Sequence, residues 1–216
     1  MRTSFLTLTI CLITIPAYAK YSGGTGEPND PYQIATAEDL MLLGETPEDY
    51  DKHFVLTADI DLDPNLPGRK VFDRAVIAPD TNDATTWFEG TAFTGVFEGN
   101  RHTISNLTIT GAGYLGLFGQ LGSWLHQAEV QDLMLLDASI IGSGNYIGSL
   151  VGVNGGEVAR CHSDGTVTGF GDQVGGLVGQ NGLPSRGIGV KLSWHFAYIA
   201  VIFEAIFKYF QRSFAR

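Results

Sequence analysis

A Gly-Leu-Phe/Val-Gly signature returns three times in the second half of the chain, and it limits the fold more than any other feature. It reads Leu115-Gly116-Leu117-Phe118-Gly119, then Ile147-Gly148-Ser149-Leu150-Val151-Gly152, then Val174-Gly175-Gly176-Leu177-Val178-Gly179. Self-similarity at this spacing implies stacked units, each burying its apolar face on the next, rather than one irregular core. Neighbouring positions keep the register. Glu129-Val130 matches Glu157-Val158, Gly142 matches Gly169, and Ile104 precedes Val130 by a similar interval.

Short strands with glycine corners at that period predict an all-β chain, a right-handed parallel β-helix (solenoid) whose turns advance by about 4.8 Å. In such a coil Leu117, Leu150 and Leu177 form one internal row, with Phe118, Val151 and Val178 on the opposite face. Gly119, Gly152 and Gly179 suit corners where φ turns positive or backbones approach closely. Asn154 and Asn181, which recur after each Val-Gly step, read as a stacked amide ladder or as left-handed turn residues. The competing architecture with similar turn spacing is an antiparallel sandwich.

Upstream the pattern is less regular. Residues 21–34 are rich in turn formers. Thr36 is placed as the N-cap of a short helix, with Asp39 in the capping-box position and Leu40, Leu43 and Met41 on the apolar side. Gly44 and Pro47 end it. His53 to Thr57 and Ile60 to Leu62 read as strands, Asp63 to Gly90 as a loop or insertion, and Phe93 to Ile109 as alternating strands around a turn at Asn100-Arg101.

The ends differ from the body. Residues 1–19 read as a secretory signal: Arg2, an apolar stretch from Phe5 to Ile15, and the small-x-small site Ala17-Tyr18-Ala19. Cys11 lies in that segment, which leaves Cys161 without an intramolecular disulfide partner and best read as a small apolar residue. Residues 20–92 form an N-terminal cap with the first coils, and 93–182 the repeats. Residues 183–216 form an atypical apolar and basic tail with helical spacing of Glu204, Lys208 and Arg212. It reads either as a C-terminal cap or anchor, or as the product of a broken reading frame in a longer repeat protein. Between Lys20 and Gly182 there are 22 acidic against 7 basic residues, a balance of −15. Such a body excludes nucleic acid as a partner, because phosphate binding needs Lys and Arg. Membrane contact is confined to the tail.

Val174 to Gly182 and Ile147 to Gly156 resemble the GLUG motif, a glycine-leucine-glycine repeat of secreted and surface bacterial proteins. Residues 93–109 are similar to the coil that precedes such motifs. Asp30 to Ile34, Ala37 to Leu40 and Asp59 to Leu62 are similar to its N-terminal capping region. The resemblance implies a β-helical scaffold with adhesin-like roles. Such repeats also accompany immunoglobulin-A-cleaving metallopeptidases, but the His-Glu-x-x-His zinc motif is missing from this sequence, so proteolysis does not carry over.

Few residues suggest chemistry of their own. Asp59, Asp61 and Asp63 alternate, so one strand face would present three carboxylates to a hard cation such as calcium. Trp87, Phe88 and Trp124 could stack on sugar rings or plug a loop. Asn106-Leu107-Thr108 is a glycosylation sequon by pattern alone. No catalytic constellation is recognisable at any spacing. The sequence thus points to a secreted or cell-surface, non-catalytic module that binds an extracellular glycan or protein surface. The alternatives are a calcium-assisted polysaccharide-active enzyme and a plain spacer.

Overall fold

A computed structural model describes residues 20–183. The signal segment at 1–19 and residues 184–216 of the tail, with the expected helix there, lie outside the described residues. Thirteen strands and one α-helix follow in chain order: β1 Tyr32–Ile34, α1 Ala37–Gly44, β2 His53–Leu56, β3 Ile60–Asp61, β4 Val96–Glu98, β5 Thr103–Ser105, β6 Thr108–Gly111, β7 Phe118–Leu121, β8 Glu129–Gln131, β9 Met134–Gly142, β10 Val151–Asn154, β11 Glu157–Ala159, β12 His162–Gly169 and β13 Val178–Asn181.

They assemble into three sheets, ordered β1-β2-β4-β8-β11, β13-β10-β7 and β12-β9-β5-β3, with β6 also paired to β9. This arrangement overturns the right-handed parallel β-helix anticipated from the repeat. Among the described residues the chain is mostly β, with sheets of five, three and five parallel strands, and not a run of equal coils. Strands range from two residues in β3 to nine in β9. The physical reason lies upstream of the repeats. Residues 63–90 hold no strand of their own and enter only through the isolated bridges Phe72↔Ile109 and Ile77↔Phe118.

That segment is therefore more than a surface insertion. It buries Phe72, Val76, Ile77 and Ala78 and lies along the outer side of β7. The antiparallel alternative also fails, since every strand–strand pair is parallel. The local register read from the repeats is present: Glu157 and Val158 pair with Glu129 and Val130, and Gly169 with Gly142. Ile104 does not stand over Val130. It pairs with Leu135, and Phe97 takes the place beside Val130.

The core lies between the sheets. Leu117 and Leu150 just before the strands, and Phe118 and Val151 at their starts, are all fully buried, so the two anticipated faces are both internal. Burial thins toward β11, β12 and β13, where Leu177 and Val178 are half-buried. Cys161 sits there too, its thiol pushed up in pKa by burial, with Sγ 3.4 Å from the Ala159 carbonyl oxygen. Asn154 and Asn181 form the expected ladder, Nδ2 of the first donating to Oδ1 of the second at 2.9 Å.

At the other end, α1 closes the core with Leu40 and Leu43. Its capping box forms as the sequence predicts: Thr36 Oγ1 accepts from the Asp39 N–H at 3.1 Å, and Asp39 Oδ2 accepts from the Thr36 N–H at 3.1 Å. The same oxygen accepts from the Ser22 hydroxyl at 2.6 Å, tying the entry segment to the helix. Asn100 and Arg101 turn the chain with positive φ.

Candidate functional site

The acidic row is present, but each carboxylate already has its Oδ1 engaged. Asp59 Oδ1 accepts from the Thr103 N–H at 2.9 Å and lies 3.1 Å from His102 Nδ1. Asp61 Oδ1 accepts from the Asp63 N–H at 2.9 Å and from Asn106 Nδ2 at 2.8 Å. Asp63 Oδ1 accepts from the backbone and side-chain amides of Asn65. The residues thus serve as turn and strand ties across 43 to 45 positions of sequence for the first two. The three do not gather around one point: among the described residues no group of three acidic, His or Cys side chains could hold a metal ion. Asn106 of the sequon is also committed, through its side-chain amide.

These contacts favour the charged carboxylates. The Thr103 N–H and then His102 hold Asp59 below its usual pKa, and the Asn106 amide and then the Asp63 N–H do the same for Asp61. A carboxyl depressed in the folded state contributes stability above its unfolded pKa, and that contribution is lost as pH falls through the lower folded value. Melting temperature is therefore expected to drop once pH goes below about 4, while millimolar calcium at neutral pH leaves it unchanged. Differential scanning calorimetry with calcium and with chelator checks this, and a calcium-dependent rise of several degrees would restore the cation site.

A second place has the build of a binding site. Asp80, Asp83, Thr85, Thr86, Tyr114, Asn145 and Tyr146 line a cleft of about 200 Å³, together with Ala112, Gly113 and Gly144. Tyr114 and Tyr146 occupy equivalent positions, each one residue before the bridged pair Leu115↔Ile147, and both have positive φ. Their rings lie 4.7 Å apart at an interplanar angle of 38°, a tilted contact.

The cleft is braced from behind. Phe88 packs on Tyr114 at 5.4 Å, and the Tyr114 hydroxyl donates to the Thr86 carbonyl at 3.1 Å. Burial, then Tyr146 and Asp80, raise the Tyr114 phenol pKa, so it stays neutral and keeps its proton to donate. Asp80 is buried, and its Oδ1 accepts from the Glu89 N–H at 2.9 Å, which closes the 80–89 segment that contributes to the lining. Asn145 Oδ1 accepts from the Asp172 N–H at 2.7 Å, leaving the Nδ2 donors of that amide to a ligand.

Of the aromatic residues singled out from the sequence, Phe88 acts as the plug behind this cleft. Trp87 beside it is half-exposed, and Trp124 is exposed in the separate connection between β7 and β8. Sequence reasoning missed Tyr114 and Tyr146. The available signal was their shared place before consecutive repeats, both on aromatic residues where a left-handed corner ordinarily favours Gly or Asn.

No family model matches the chain, and no solved structure matches it. The chain is similar to Halomucin of Haloquadratum walsbyi (strain DSM 16790 / HBSQ001), with 37% identity over 148 residues, 66% of this chain. It spans about 2% of the length of that relative.

Proposed function

We propose that the chain is a non-catalytic binding module of the secreted or cell-surface kind, built on GLUG-type repeats, that engages extracellular glycans. The braced tyrosine cleft carries this reading. It combines two tyrosine rings, carboxylate acceptors and an amide in one concave site. The similarity to Halomucin supports an extracellular setting, as does the apolar segment ending in Ala17-Tyr18-Ala19. The acidic surface supports solvation outside the cell.

The adhesion reading is favoured over an enzyme because the acidic row invoked for calcium-assisted polysaccharide chemistry does not converge on one point among the described residues, each carboxylate instead tying down a different backbone or amide donor. The test is retention of the full chain on an immobilised mucin-type glycoprotein. Retention that leaves the glycan uncleaved is expected. Release of new reducing or unsaturated sugar ends would overturn the non-catalytic reading, and failure to be retained would overturn binding.

A further inference from the structure

We infer that the Tyr114–Tyr146 cleft selects an uncharged pyranose ring and rejects uronic or sulfated sugars, an inference that rests on the glycan-binding reading above. Among the described residues, those lining the cleft include two carboxylates, Asp80 and Asp83, and no Lys or Arg. The backbone N–H of Asp172 holds the Asn145 side chain at the edge of this lining. A carboxylated or sulfated sugar would meet these like charges without a cation to offset them, and like-charge contact in a partly dehydrated cleft opposes binding. A neutral sugar instead supplies hydroxyl donors to the Asp83 carboxylate and to the second oxygen of Asp80. Asp80 already fixes Oδ1 on the Glu89 N–H, which leaves Oδ2 to accept from a sugar hydroxyl.

The apolar side of the site suits the same ligand. The Tyr146 ring is half-buried, with Tyr114 against one side. A pyranose carries axial C–H groups on one face and hydroxyls around its rim, so it matches an aromatic wall with a polar border. The cleft, at about 200 Å³, is the size of one sugar unit and not of a polymer groove. Longer chains would therefore bind through one residue at a time, and affinity would come from several copies of the module on a multivalent surface.

The experiment is isothermal titration of the full chain with a neutral N-acetylhexosamine trimer, an oligogalacturonate of equal length and a sulfated counterpart. Saturable binding of the neutral trimer alone is expected. Tyr146→Ala should weaken it about tenfold, and Asp83→Lys, at an exposed position, should raise oligogalacturonate binding while leaving the melting temperature near the wild type. Equal or tighter binding of the acidic sugars by the wild type overturns the inference. So does unchanged affinity in both variants. If no free sugar binds but the chain is still retained on the glycoprotein after deglycosylation, the cleft assignment falls while the surface-module reading stands, with protein as the ligand.

Discussion

Phe97→Ala is expected to lower folding stability by about 4 kcal/mol, a value typical of removing a fully buried aromatic ring. Phe97 is in β4, between Phe54 of β2 and Val130 of β8 in the first sheet. Its ring also lies 5.5 Å from that of Phe118 at 80°, and so joins the five-stranded sheet to the three-stranded one. Phe118 in turn contacts Phe93 at 5.3 Å, and Phe93 contacts Phe54 at 5.9 Å. The four rings thus form a closed cluster with essentially no solvent exposure. Alanine would open a cavity whose walls belong to strands held in parallel ladders on both flanks, so collapse around it is restricted. Urea denaturation with an unchanged m-value is the measurement. Trp124→Ala, on an exposed loop, should move stability by less than about 0.5 kcal/mol. A Phe97→Ala loss no greater than that of Trp124→Ala would mean that the aromatic cluster does not hold the sheets together.

What could be read ahead of the structure follows from how local each signal was. Glu129-Val130 and Glu157-Val158 carry the same chemistry at a constant interval, and they pair in register. The capping box of α1 was equally legible, because Thr36 and Asp39 satisfy each other within one turn. Ile104 was matched to Val130 because the interval alone cannot distinguish one sheet from another. Phe97, before the Asn100-Arg101 turn, is the true neighbour of Val130. Residues 63–90 lack periodicity, yet Ile77 and Phe72 find their partners 41 and 37 residues later, and nothing in the segment itself announces that. It is this segment that makes the sheets unequal and defeats the uniform coil. The functional residues behave alike. The alternation of Asp59, Asp61 and Asp63 was visible, but the groups that occupy them, Thr103 and Asn106, belong to another strand region. Tyr114 and Tyr146 come together only because their repeats stack.

Gly152→Ala is expected to be nearly as damaging as loss of the Phe97 ring, and the cause is the opposite one. Gly119, Gly152 and Gly179 lie inside β7, β10 and β13 and not at corners, and none has a positive φ. Their glycine requirement is space. A Cβ on Gly152 would stand 2.7 Å from the Gly119 carbonyl oxygen, and 2.8 Å from both the Tyr114 carbonyl carbon and the Tyr146 carbonyl oxygen. All three are backbone atoms, so no flexible side-chain end can yield. Relief requires moving the 114 and 146 segments, whose N–H groups donate to Asn145 and Asp172 at 3.0 and 3.1 Å. Overpacking of this kind costs about 3 kcal/mol, and the added bulk of Gly152→Val should prevent folding. Gly176, in the same repeat unit as Gly179, is the control. A Cβ there meets nothing within 4 Å, so Gly176→Ala should be neutral or stabilising by about 0.5 kcal/mol through the unfolded chain. Thermal melting of the pair separates the two roles that one repeated residue type plays. Gly152→Ala also shifts the backbone that carries both tyrosines, so saccharide binding should fall in whatever fraction still folds. A Gly152→Ala protein that melts with the wild type would show that the close approach of these backbone segments is not what the repeated glycine serves.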